Sequence, residues 1–452
     1  MTAPAERDAS VAPAPPPVPS LGQATRFWLE LGFISFGGPA GQIAIMHRAL
    51  VEERRWISER RFLHALSYCM VLPGPEAQQL ATYIGWLLHR IWGGLIAGGL
   101  FVLPSFGILV ALSWIYVAFG TLPAVAGAFA AVKPAVVAII VQAAQRLGSR
   151  ALKTPAAWAI AGLSFVAMVA AVPFPVIVVV AALTGMGIGR LAPAQLRHGA
   201  GTGAAASAAP AVIDDDTPTP PHARVRVARL ARVAGAGLAL WAAPLALLAS
   251  AHGEATLARM AWFFTKAALL TFGGAYAVLP YVVQGAVHEH RWLTAAQMID
   301  GLALGETTPG PLIMVVTFVG FVGGYLQALF GPDRAWLAGL AAAGVVTWFT
   351  FLPSFVFVLA GGPFVESARD DVTYVAPLAA ITAAVVGVIL HLAAFFGVHV
   401  FWPAGLAGPF DWRALAIAIV AGIALFRFGR HVIEVILVFA TLGALITILG
   451  RA

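Results

Sequence analysis

Residues 36–75 read FGGPAGQIAIMHRALVEERRWISERRFLHALSYCMVLPGP, and residues 272–311 read FGGAYAVLPYVVQGAVHEHRWLTAAQMIDGLALGETTPGP. The second stretch repeats the first at a shift of 236, with eleven of forty positions identical and no gap. Phe36-Gly37-Gly38 recurs as Phe272-Gly273-Gly274, Arg55-Trp56 as Arg291-Trp292, and Pro73-Gly74-Pro75 as Pro309-Gly310-Pro311. Beyond this window the register drifts, yet Leu103-Pro104-Ser105 still answers Leu352-Pro353-Ser354 and Pro134 answers Pro377. An ordered series of this kind divides the chain into two homologous halves.

What surrounds the repeat sets the medium. Of 452 residues, 60% are hydrophobic and 10% charged, with a mean hydropathy of +0.88. Soluble domains are about a quarter charged, so this is a membrane protein. The apolar runs are long and do not alternate, which favours helices over a barrel. The single cysteine, Cys69, excludes a disulfide scaffold. The net charge of +7 fits basic cytoplasmic loops better than nucleic acid binding.

Each half reads as six apolar segments, near 24–47, 62–89, 91–119, 122–145, 156–172 and 174–189, then 260–287, 296–329, 335–360, 372–397, 412–427 and 431–450. One extra segment, 233–251, lies between them. The expected organisation is a disordered tail (1–20), a first half (21–190), a cytoplasmic linker (191–232), a connecting span (233–251) and a second half (252–452). Loop 146–153 holds Arg146, Arg150 and Lys153, and loop 48–61 holds five arginines, so both are expected inside. The counterpart loop, 288–295, has only Arg291 and two histidines, which points to an inverted second half. The first two segments of each half then read as re-entrant hairpins, breaking at the GG and PGP motifs, with proline-kinked full spans as the alternative. The hairpin scheme has nine full spans, four hairpins, an internal N-terminus and an external C-terminus. The fold class is thus an all-α polytopic membrane protein of two inverted halves joined by an extra span.

The doubled pattern of GG, Val, Trp and PGP resembles the signature of the chromate ion transporter family, whose long-chain members hold two homologous halves. The resemblance covers about 24–189 and 260–450. It implies export of chromate from the bacterial cytoplasm, and so a multi-pass protein of the bacterial inner membrane.

The residues point the same way. A helix that restarts at a break exposes unpaired N–H groups at the positive end of its dipole, and such ends bind anions. Gly37, Gly38, Pro73, Gly74, Pro75, Gly273, Gly274, Pro309, Gly310 and Pro311 are therefore the candidate substrate-binding positions, four helix starts converging on one tetrahedral oxyanion. The alternative is that they serve only turns and close packing. Lys133 lies deep in an apolar segment and either neutralises the anion, snorkels, or pairs with an acid. Glu76 and Glu306 beside the PGP motifs are candidate proton-sensitive elements or, for Glu76, a helix cap. Glu30 and Lys266 align and are expected to pair across the halves or act in gating. Arg54, Arg55, Trp56, Arg291 and Trp292 are read as membrane-surface anchors or an anion funnel.

No clustered catalytic set, metal motif or nucleotide-binding loop is present in the sequence, so neither enzyme nor cofactor is expected. The partners expected are a chromate- or sulfate-like dianion and lipid, not nucleic acid, with a homodimer left open. Membrane potential or proton-motive force would drive export. A sulfate-like importer or a channel is the competing reading.

Overall fold

The computed structural model describes residues 16–36, 38–191, 210–218, 220–250, 255–272, 275–367 and 375–450. Gly37, Gly273 and Gly274, the tail to residue 15 and residues 192–209 of the expected linker lie outside the described residues. Among the described residues there are sixteen α-helices and no strand, only an isolated bridge between Ile57 and Ile213.

Helix α1 (Leu21–Ile34) starts behind Ser20 in a reciprocal capping box with Gln23. It stops at Ser35, and α2 (Gly38–His47) opens on Gly38 at φ +69. Helix α3 (Glu59–Val71) stops at Leu72, and the chain passes through Pro73-Gly74-Pro75 into α4 (Glu76–Phe119). The second half follows suit. Helices α9 (Ala255–Leu269) and α10 (Ala275–Val283) are separate, and a 3₁₀ turn at Leu312–Met314 lies between α11 (Ala295–Thr307) and α12 (Val315–Leu326). Helices thus end at all four expected breaks. Proline and glycine act on their own backbone, which is why this could be read locally.

Helix α4 is itself two arms. His89 (φ −134, ψ 32) and Arg90 (φ 58, ψ −152) leave helical geometry, and the chain doubles back. Gly85 and Gly93 make the reversal close, since a Cβ on either would overlap the other's carbonyl.

Completing the bundle are α5 (Pro123–Ala151), α6 (Pro155–Val169), α7 (Phe174–Leu191), α8 (Val227–Ser250), α13 (Ala335–Ser367), α14 (Val375–Phe401), α15 (Trp412–Phe426) and α16 (Val432–Leu449). Among the described residues seven helices are long and apolar enough to cross a bilayer, so the chain is a multi-pass membrane protein. The sequence suggested nine full spans; α6 and α15 are the two that fall short. Fifteen residues reach about 22 Å, against a hydrocarbon core of about 30 Å.

The halves interlock. Helix α5 of the first half packs on α15 and α16 of the second, while its counterpart α14 packs on α6 and α7 of the first. Homologous helices also meet directly and run antiparallel. On the second arm of α4, Gly94 lies against Leu359 and Gly98 against Phe355 of its counterpart α13. Gly148 of α5 lies against Val386 of α14, and Gly397 of α14 against Val137 of α5.

The Arg-Trp motif is a folded turn rather than a surface anchor. π-helical turns at Arg48–Glu53 and Gln284–Glu289 lead into Arg55 and Arg291, each at φ 51. Trp56 N–H then donates to Leu50 O and Trp292 N–H to Ala286 O, both at 2.8 Å. Both indoles are buried in the core, which corrects their expected place at the membrane surface. The backbone forces this: a left-handed residue after a π turn swings the next side chain inward. Arg54 stacks over Phe27 at 4.8 Å and Trp56 at 5.5 Å instead of projecting as a free funnel charge.

The described part of the linker is docked. Val212 and Ile213 N–H groups donate to Arg55 and Trp56 carbonyls at 3.0 Å, Ser58 N–H returns to Ile213 O at 2.9 Å, and Ser58 Oγ–H reaches Asp215 at 2.6 Å. The connecting helix α8 is fastened by Trp348 to Leu240 O and by Trp241 to Thr265 Oγ1.

Candidate functional site

The four breaks do not stay within their own halves. Gly74 N–H donates to Thr271 O at 2.7 Å, and Gly310 N–H donates to Ser35 O at 2.7 Å. The two bonds are images of one another under the 236-residue shift. Each PGP loop of one half is thereby tied to the first break of the other. Ser35 and Thr271 hydroxyls bind back to Leu31 O and Ala267 O, satisfying their own helix ends.

Glycine is required at both crossings. Gly74 has φ +132, and a Cβ there would overlap Ser354 Oγ and lie 2.6 Å from Gln79 Nε2. Gly310 has φ +91, and its Cβ would lie 2.8 Å from Ser105 Cβ. The serines of the two Leu-Pro-Ser motifs therefore each cover the PGP glycine of the opposite half.

The sequence reading assigned the glycine N–H groups to an anion, and here the structure differs. Those of Gly74 and Gly310 are taken by carbonyls of the opposite half, a pairing no local pattern encodes. The unpaired donors come just after the second proline. No acceptor is found for Glu76, Ala77 and Gln78 N–H at the start of α4, nor for Leu312 and Ile313 N–H, among the described residues. These residues are buried. Around them lie buried side-chain atoms without partners among the described residues: Ser105 Oγ, Ser354 Oγ and the amide oxygens of Gln42, Gln78 and Gln79. Gln42 Nε2–H donates to Gly310 O at 2.5 Å and to Ser35 O at 3.3 Å, and Gln79 Nε2–H donates to Pro73 O at 2.8 Å. A buried polar set left this open has the free donors and acceptors to hydrogen-bond water or an anion.

The chromate transporter family profile matches residues 22–186 and 258–445, one block per half. The chain belongs to the chromate transporter family. A chromate transport protein of Pseudomonas aeruginosa is 36% identical over 388 residues, covering 84% of this chain and 82% of that protein. A probable chromate transport protein of Synechococcus elongatus is 28% identical over 431 residues, covering 95% and 96%. A chromate transport protein of Cupriavidus metallidurans is 30% identical over 374 residues, covering 82% of each. No solved structure matches the chain.

In this chromate transporter family member, acids flank both PGP loops, Glu76 buried and Glu306 half-buried. Glu76 is the first residue of α4, and the N-cap position belongs to Pro75, so Glu76 is not the side-chain cap that the sequence allowed. Glu306 accepts from Tyr276 O–H at 2.5 Å. Two further cations, Arg146 and Arg150, lie on α5. Both arginines were read from sequence as loop charges. They lie instead in the last turns of α5, exposed, and without an ion pair among the described residues.

Lys133 is not open. Its Nζ lies 3.3 Å from Asp300 Oδ2, which also accepts from Tyr116 O–H at 3.0 Å. Sequence reasoning passed over Asp300, although a lone acid in an apolar segment is itself a signal. It counted Arg61 only among the charges of loop 48–61, whereas its Nη2 pairs with Glu366 Oε2 at 2.7 Å with both side chains buried, and it passed over Tyr83, which donates to Glu366 Oε1 at 2.5 Å. Glu30 and Lys266 do not pair: both are exposed, and no ion pair joins them among the described residues. Each sits off the face of α1 or α9 that packs on its neighbour.

Proposed function

We propose that the chain carries chromate, or a tetrahedral oxyanion like it, out of the bacterial cytoplasm across the inner membrane. The observation that carries this reading is the reciprocal crossing of the breaks, Gly74 to Thr271 and Gly310 to Ser35. It brings two restarted helix ends, with their unpaired N–H groups, under the same cover of opposite-half serines. Helix N-termini meeting at a repeat interface suit a small dianion. The names of the three relatives support chromate as that dianion. Arg146 and Arg150 add positive charge in the last turns of α5, the end that the charge pattern assigns to the cytoplasm.

The halves are proposed to be inserted in opposite orientations, with the GG and PGP segments as re-entrant hairpins. Homologous helices meeting antiparallel, as α4 meets α13 and α5 meets α14, are what a two-fold axis in the membrane plane produces. Labelling with an impermeant thiol reagent from outside should modify His288→Cys and spare Glu52→Cys. Both positions are exposed, and native Cys69 is fully buried and should stay silent. Modification of both from one face would overturn the inversion.

Membrane potential suffices to drive export. One charge through 100 mV is worth about 2.3 kcal/mol, so a dianion leaving through roughly 150 mV gains about 7 kcal/mol. That supports a concentration ratio on the order of 10⁵. The test is efflux of chromate, and separately of sulfate, from proteoliposomes clamped at a set potential without a pH gradient. Chromate flux that rises with potential is expected. Flux that ignores potential and follows only an imposed pH gradient would replace this mechanism with proton coupling.

A further inference from the structure

We infer that Lys133, Asp300 and Tyr116 form a second oxyanion station, in which Asp300 is the resident counter-ion that the substrate displaces from Lys133. The inference rests on the reading of the chain as an oxyanion transporter.

Among the described residues two ion pairs join the halves, and they are built differently. In Arg61–Glu366 the bond is 2.7 Å, the side chains are 7% and 1% exposed, and Tyr83 takes the second carboxylate oxygen. Both carboxylate oxygens of that pair are taken, although Arg61 Nη1 is buried without a partner among the described residues. In Lys133–Asp300 the separation is 3.3 Å, longer than a tight charge-assisted bond, and the burial is lopsided, with 29% of Lys133 exposed against 4% of Asp300. Tyr116 donates to the same oxygen that faces Lys133, and Asp300 Oδ1 is buried with no partner among the described residues. An unfilled polar atom occurs in both pairs, so what sets Lys133–Asp300 apart is its length and its partly exposed ammonium. Here the acid is held fast by Tyr116 while the lysine side chain stays partly exposed.

Position suits a second stop on an anion path. Along α5, Lys133 precedes Arg146 by thirteen residues, about 20 Å of helix. Asp300 precedes Glu306 on α11 by six residues, about 9 Å. Asp300 is also closer to the start of α11, the end next to the His288 loop, than to the PGP loop. Lys133 thus lies farther toward the start of α5 than Arg146 and Arg150. At the repeat-equivalent positions stand Ala376 and His64, so there is one such station, not two.

The chemistry is an exchange of partners. A bare ammonium at membrane depth is costly. Asp300 removes that cost while the station is empty, and a dianion outcompetes a single carboxylate when it arrives. Asp300, kept by Tyr116, then returns to Lys133 as the anion leaves. Asp300 is accordingly a positioning residue that sets how tightly Lys133 holds substrate and how fast it lets go.

The test is the concentration dependence of chromate flux in proteoliposomes. Asp300→Asn should lower KM about tenfold, the factor that 1.4 kcal/mol of lost competition gives, and lower kcat as release slows. Lys133→Ala should raise KM by at least about tenfold, and Lys133→Ala with Asp300→Asn should match Lys133→Ala. Asp300→Glu, which keeps the counter-ion, should leave KM near wild type. That variant and Lys133→Arg keep the test decisive if Asp300→Asn does not accumulate, since a KM lowered by Glu would also defeat the idea. Unchanged KM in both single variants, with lost protein restored in the double variant, would make the pair a structural latch and overturn the inference. Absence of any chromate flux in the wild type would instead overturn the transporter reading itself.

Discussion

Gly74→Ala will reduce chromate flux at least about a hundredfold at equal protein in the membrane, a loss on the order of 3 kcal/mol. Two effects add. A left-handed φ of +132 is strained for any L side chain, by about 1–2 kcal/mol. The new methyl also overlaps Ser354 Oγ and presses on Gln79 Nε2 at 2.6 Å, so the loop must shift away from Thr271. Gly310→Ala faces the mirror problem, φ +91 and Ser105 Cβ at 2.8 Å, and should behave alike. Gly99→Ala and Gly107→Ala, where nothing lies within 4 Å, are the controls and should transport normally. Adding Ser354→Ala to Gly74→Ala removes the oxygen that is overlapped, leaving Cβ at 3.3 Å, and should restore part of the flux. Normal transport by both PGP variants would show that the crossing is not the working part of the molecule.

Arg61→Ala should cost about 3–5 kcal/mol of stability, the usual consequence of removing one member of a buried pair. Glu366 is 1% exposed in its side chain, and without the guanidinium its charge stays buried beside Tyr83. The pair fastens α3 of the first half to α13 of the second, so the loss falls on assembly of the halves. Thermal unfolding of the detergent-solubilised protein is the measurement. Replacing Arg61 by Met together with Glu366 by Gln should be milder than either single change, because no bare charge remains. A shift in Arg61→Ala worth less than about 1 kcal/mol would place this pair among weak surface bridges.

The repeat was legible because its parts act locally. Proline, glycine, the left-handed Arg55 and Arg291, and the Ser58 and Thr294 caps each shape only the backbone beside them. The same residue types at the same spacing therefore yield the same breaks, π turns and caps in both halves. Apolar run lengths likewise sufficed for the helical membrane class, though α6 and α15 show that hydropathy overstates span length. The indoles of Trp56 and Trp292 were misplaced because composition speaks of the interface, while the turn preceding them decides direction.

What sequence by itself determined, then, is a helical membrane chain of two homologous halves, broken at the GG and PGP motifs. Only the tertiary structure decided that Gly74 answers Thr271 and Gly310 answers Ser35, that α5 and α14 lodge against the other half's last helices, and that Lys133 meets Asp300 while Arg61 meets Glu366. A backbone break follows from the residue that makes it. The partner of a freed N–H or a buried charge follows from which surface arrives opposite, and that surface comes from hundreds of residues away.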